Sequence, residues 1–434
     1  MTTIATTTAD TVAKWAAGLG EPAWLINQRK AAWEAYLQLS PPPNTEEAWK
    51  YTDLSKIGWD RLAVLPNGSG TPTGTITTTF DVVPKEFQAR GVIVSELSAA
   101  LSAEPDLVRP YLTDPALDVG VAALRPGFSG LSGAHYSGAK YLSLQEALWD
   151  RGLFVYVPAG VDATIPLSGR VTCSASGIGV FPRTIVVVEE GASLTYIDEY
   201  DSPTETELKE TLSHARVELH CKPGARLHYV NIQRWHAGVT HLFHQHANLA
   251  NDSALTAVTI TLGGGTTKAT VEAALQAPGA TSYLFGLGFA NGKQHFDHHT
   301  MQTHLAPHTT SDLLYKIALK DQAKSIYTGL IRMTKAAQQS NAYQANRNLL
   351  LSEAARANTV PQLEIEANDV RCTHGATVGT IDEEQCYYLT SRGLSREEAE
   401  QMIAAGLFEE LLLRLPSEHV REVVRKTIQN KLGG

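Results

Sequence analysis

The sharpest chemical signal in the chain is Cys372-Thr373-His374, because residues i and i+2 of a strand send a thiol and an imidazole to the same side. Gly375 follows and leaves room beside the imidazole for a ligand or a second chain. In a nucleophile pair the imidazole would take the thiol proton. Strand α-carbons about 6.5 Å apart make that transfer awkward, and no third orienting group is evident. On these residues alone a structural strand end and a metal-binding or catalytic pair both stay open. A broader cluster comprises His241, His244, His246, His295, His298, His299, His304 and His308, with Asp297 inside it. Neutral imidazoles and a carboxylate suit iron or zinc, yet the HExxH spacing is absent. The competing reading is that these histidines decorate solvated strands and hydrogen-bond locally. Gly263-Gly264-Gly265-Thr266-Thr267-Lys268 invites comparison with a phosphate loop, which needs Gly directly before Lys and Ser or Thr directly after it. Thr267 and Ala269 hold those places, so the chain is not expected to hydrolyse ATP itself. Cys173, Cys221 and Cys386 read as packing residues.

Three kinds of element must position these groups. Leu25, Ala32, Trp33, Tyr36 and Leu37 recur as one apolar helical face, ended by Pro41-Pro42-Pro43. Asn67-Gly68-Ser69-Gly70 and Pro72 read as a loop or linker. From about residue 152, short runs of Val, Ile, Thr and Tyr alternate with turns over some 220 residues. A small turn recurs at Gly191-Ala192, Gly224-Ala225, Asp252-Ser253-Ala254, Gly279-Ala280 and Asp321-Gln322-Ala323, its alanines 33, 29, 26 and 43 residues apart. Such drifting periods point to a β-solenoid, with a β-sandwich as the alternative. In Arg216 to Cys221, alternation sets Val217, Leu219 and Cys221 against Arg216, Glu218 and His220, while Thr184 to Val188 is apolar enough to be covered on both faces. After about residue 380 the period becomes helical, with Asp382 or Thr380 as one cap and Ser395-Arg396-Glu397-Glu398 as a capping box. Leu407, Leu411 and Leu415 share the second helix, and Ser417 opens a third carrying Val420, Val423, Val424 and Ile428. These helices are either a partner-binding module or a cap sealing the solenoid end.

Composition narrows the function. The 434 residues are 43% hydrophobic and 19% charged, an ordinary globular balance, with a net charge of −9 and no basic concentration to attract nucleic acid. No run of about 20 apolar residues suggests a membrane span, and the N-terminus lacks a secretory pattern, so a cytoplasmic protein is expected. The four cysteines are too few and too scattered for a disulfide framework.

Four ordered motifs, Asn348-Leu349-Leu350-Leu351-Ser352, Pro361-Gln362-Leu363-Glu364-Ile365, Asp369 to Gly379 and Tyr388 to Gly393, closely resemble the SufB/SufD family. Glu47-Ala48-Trp49-Lys50-Tyr51-Thr52, Pro182-Arg183 and Glu189-Glu190-Gly191-Ala192 extend the resemblance upstream. The Cys-Thr-His-Gly-Ala-Thr form and the N-terminal block look like SufD, since SufB typically carries an acidic residue after the motif His. The resemblance implies a mainly β fold: a right-handed parallel β-helix over 151–380, flanked by an N-terminal helical or mixed domain, 1–150, and a C-terminal helical domain, 381–434. It implies a non-enzymatic scaffold for iron-sulfur cluster assembly, pairing with SufB through the β-helix and recruiting the ATPase SufC through the C-terminal helices. A homodimer is a further option. His374 would then face SufB and help to hold a nascent, transient cluster shared with it, with Cys372 the weaker candidate. Rival expectations are a His-rich metal-binding homodimer built on His295, His298 and His299, and a β-helix carbohydrate-active enzyme using Asp297 with a metal.

Overall fold

A computed structural model describes residues 2–64, 74–112, 138–203 and 207–433. The expected linker at Asn67 to Pro72 lies outside the described residues. Successive strands alternate between two sheets, and each strand pairs in parallel with the one two places on, which is the signature of a β-solenoid. The solenoid has about eight turns and is flanked by N-terminal and C-terminal helices. One sheet runs from Arg151–Val157 to its terminal strand Arg356–Ile365, and the other from Asp162–Cys173 to its terminal strand Val370–Thr380. Antiparallel strands Ile93–Glu96 and Ile76–Phe80 cover the opposite edges.

The recurring turn sets the register. Gly191, Gly224 and Gly279 adopt left-handed backbone, and Asp252, His308 and Gln339 do the same in their coils. The residue after each of the six, Ala192, Ala225, Ser253, Ala280, Thr309 and Ser340, is small and buried, and strand pairing stacks them in one column. The steps in that column are 27 to 33 residues. Ala323 belongs to the other sheet, so the 43-residue step read from the sequence joins two different columns. The triple glycine has a packing cause: a Cβ on Gly263 or Gly265 would stand 2.2 Å from the carbonyl oxygen of Trp235 or Ala237 on the neighbouring coil.

Helix Ala23–Gln38 buries Leu25, Ala32 and Trp33 as the spacing predicts, but Leu37 is 62% exposed. Buried Arg29 takes its place on that face, four residues after Leu25, with its guanidinium bidentate on Glu21. Glu146, on helix Ala139–Leu148, meets Arg183 and Arg216 at 2.9 and 2.6 Å, and Glu218 closes the square at 3.0 and 2.7 Å. This buried square docks the N-terminal helices on the outer face of the first sheet.

At the other end of the chain, Asp382 caps helix Glu383–Ser391, and Ser395 and Glu398 form the expected capping box on Arg396–Leu412. Phe408, Leu411, Leu412 and Leu415, with Val420, Val424 and Ile428 of Glu418–Gly433, pack on Val230, Val258, Phe285, Leu287 and Phe289. Each such buried side chain contributes about 1.5–3 kcal/mol. Lys431 pins the last helix by donating to the carbonyls of Leu262 and Phe289 at 2.6 and 2.7 Å. The helices therefore lie along a side face of the second sheet and do not seal the end of the solenoid.

Candidate functional site at the open end of the solenoid

Among the described residues nothing covers that end, and strands Arg356–Ile365 and Val370–Thr380 are long edges of 10 and 11 residues, each paired on one side only. Strand pairing places Cys372 over Ala342 and His374 over Gln344. Ala342 and Gln344 are buried residues of the interior face, so Cys372 and His374 share that face one coil further out. Gln344 closes the floor by donating to the Gly329 and Gln362 carbonyls at 3.2 and 3.4 Å, tying the two sheets together beneath the imidazole. His374 is exposed, and Gly375 is open: a Cβ there would meet only the Tyr343 hydroxyl, at 3.7 Å.

Cys372 is half-buried beside the terminal cluster of Ile331, Met333, Ala337 and Ala342. Burial pushes its thiol up to about 11, so it is a protonated thiol near neutral pH. Neither Cys372 nor His374 has a side-chain hydrogen-bond partner among the described residues, and the two do not form a proton-transfer pair. What remains is a donor pair with at most one ready ligand, the imidazole. Among the described residues no group of three or more His, Cys, Asp or Glu side chains could hold a metal ion.

The histidine cluster is placed differently from its solvated reading. His241, His244, His246, His298 and His304 are all buried, because the two strands that carry them, Val239–Leu249 and His295–His304, are covered on both faces. His298 and His304 point inward, to Thr261 at 2.9 Å and to Thr309 and Ser311 at 2.7 and 2.9 Å. His244 and His246 lie on the outer face beside Glu272, 3.9 and 3.3 Å from its carboxylate. Burial lowers His241 and His298, to about 3 and about 4. His308 is exposed at its turn.

Asp297 is committed to structure. Its carboxylate lies 2.8 Å from both Lys268 and His299, and the Thr52 hydroxyl also donates to it. Burial opposes its charge, but Lys268 and His299 outweigh burial and hold the carboxyl far below the usual range. A carboxylate so held is a poor general acid. Lys268 also donates to the Ala48 carbonyl at 2.5 Å, so this buried group anchors the segment around Trp49 and Thr52. The sequence signal for that anchor was the Glu47 to Thr52 block, whose contact with residues some 220–245 positions away no local pattern reveals. Cys173, Cys221 and Cys386 are buried as expected.

Fold and site together define a parallel β-solenoid protein with an incomplete donor pair at its uncovered end. The family described as "SUF system FeS cluster assembly, SufBD core domain" matches residues 171–407, more than half of the chain, and the chain belongs to that family. It is 25% identical to an iron-sulfur cluster assembly SufBD family protein of Staphylococcus saprophyticus, covering 93% of this chain and 89% of that one. It is also 25% identical to the iron-sulfur cluster assembly protein SufB of Bacillus subtilis, with the same coverage. A SufBD family protein of Staphylococcus aureus is 28% identical over 79% of this chain and 69% of its own length. These relatives fix the family and its part in iron-sulfur cluster assembly, and do not separate SufD from SufB. No helix among the described residues is long and apolar enough to cross a membrane.

Proposed function

We propose that this chain is a SufD-like, non-enzymatic scaffold subunit of the cytoplasm that pairs with a SufB-type partner and helps to hold a nascent iron-sulfur cluster as cargo. The observation that carries this reading is the open end: two unsealed edge strands, an exposed imidazole at His374 and clear space at Gly375. Long unpaired edges are surfaces that another chain can extend. His374 would supply one ligand, and the remaining ligands would come from the partner. Cys372 would join only if the partner's contact lowers its thiol toward the thiolate, since in the isolated chain burial favours the protonated form. SufC would be recruited by the C-terminal helices, whose Tyr387, Tyr388, Met402 and Leu413 are exposed away from the solenoid. The three domains would then divide at residues 150 and 380.

The test is co-purification with SufB and SufC from the same source. Gly375→Arg places a long side chain on the open face and is expected to abolish SufB capture while leaving SufC capture intact. Undiminished SufB capture by a folded Gly375→Arg chain would refute pairing through this edge.

A further inference from the structure

The penultimate strand of the second sheet, Ser340–Leu350, carries three buried amides on its inner face: Gln344, Asn346 and Asn348. The column beneath Gln344 is apolar. Strand pairing stacks Leu284 and Leu313 in the two coils below it and His374 in the coil above. Asn348 likewise follows Ile317 and lies beneath Val378. An amide in place of a core leucine is not a stabilising exchange, because a polar group taken from water must recover its hydrogen bonds inside. The side-chain oxygen of Gln344 finds no partner among the described residues. The column therefore changes from leucine to glutamine against its own stability, and does so at the coil directly beneath His374.

The side-chain nitrogen supplies the reason. It donates to the Gly329 carbonyl, on strand Lys324–Met333, and to the Gln362 carbonyl, on the terminal strand Arg356–Ile365. One amide thus crosses the interior from the second sheet and grips the last two strands of the first. Asn348 reaches the other terminal strand, donating to the Thr377 carbonyl at 3.3 Å. Each terminal strand has a backbone ladder on one side only, and each gains a side-chain bond from Ser340–Leu350. A partner that brings the remaining ligands must meet both edges, and their spacing decides whether the imidazole lies within reach of a shared metal, where displacements of about 0.5 Å already matter. We propose that Gln344 is a positioning residue for the cluster site, the crossbar that fixes the gap between the two terminal strands and with it the place of His374. This role presupposes His374 as a ligand.

Gln344→Met keeps the length of the side chain and removes the donor, and Gln344→Leu, the residue of the two coils beneath, is the second variant. In the free full-length chain, amides of Arg356–Ile365 should exchange about threefold or more faster in both. In the anaerobically loaded complex with SufB and SufC, Gln344→Met should retain SufB capture and lose its cluster to a chelator about tenfold faster. It should also weaken the histidine-nitrogen coupling that pulsed EPR of the reduced cluster shows for the parent, a signal that a merely structural glutamine would not move. Unchanged exchange at Arg356–Ile365 in the folded variants would overturn the proposal. So would parental coupling and chelator resistance in the Gln344→Met complex while His374→Ala abolishes the coupling. Parental coupling in His374→Ala as well would instead overturn His374 as a ligand, and the role of Gln344 with it.

Discussion

Replacing Asp297 by alanine leaves Lys268 buried with its charge uncompensated, because among the described residues only the Ala48 carbonyl then accepts from it. Removing one member of a buried, hydrogen-bonded pair typically costs about 3–5 kcal/mol. The loss falls on one contact surface, the docking of residues around Trp49 and Thr52 on the first sheet, since Thr52 donates to Asp297 and Lys268 holds the Ala48 carbonyl. Local opening of that segment should therefore become about a hundredfold or more easier, while distant coils keep their stability. Hydrogen exchange resolved by peptide reads this directly: amides near Trp49 should lose protection in Asp297→Ala, and those of strand Arg226–Arg234 should not. The double replacement Lys268→Met with Asp297→Leu removes both charges and should recover most of the protection. Protection near Trp49 within threefold of the parent protein in Asp297→Ala, or a double replacement no better than the single one, would refute the reasoning.

Two further outcomes follow from buried ionisable groups. With its thiol pushed from an ordinary 9.0 up to about 11, Cys372 should react with iodoacetamide at pH 8 about a hundredfold more slowly than a solvent thiol, by peptide mass spectrometry; fast labelling at pH 8 would contradict its burial. Burial also raises Asp198, against hydrogen bonds from Tyr200 and Tyr229, to about 7 from an ordinary 3.8, so the folded state binds the extra proton between those values and stability falls as pH rises across that window. Asp198→Asn should flatten that slope, which is worth up to about 3 kcal/mol between pH 5 and pH 8 by denaturant titration; an unchanged slope would place the carboxyl's titration elsewhere.

The solenoid was legible because its turns carry their own chemistry: Gly191, Gly224 and Gly279 announce left-handed backbone, and the small residue after each is required by coil stacking. Asp252, His308 and Gln339 adopt the same backbone without glycine; the Asp252 turn is legible from its small neighbours, but those at His308 and Gln339 are not, and Ala323 of the other sheet took their place in the apparent period. Alternation correctly paired Val217 with Leu219 and Cys221, yet it could not say that Arg216 and Glu218 are buried too, because their cover, Glu146, comes from a helix some 70 residues earlier. The histidines were misjudged for the same reason: a period of two assigns faces, and only tertiary packing decides which faces meet water. Cys372 and His374 were legible as a pair on one face, while the thiol's burial and the open edge beyond it required the coil beneath.

The central claim is tested most directly by anaerobic iron and sulfide loading of the complex with SufB and SufC, followed by visible absorption, with His374→Ala compared with the parent chain. If His374 is a ligand on the open end, the variant should assemble the complex normally and lose most of the cluster absorption. An intact His374→Ala complex with parental absorption would contradict the account.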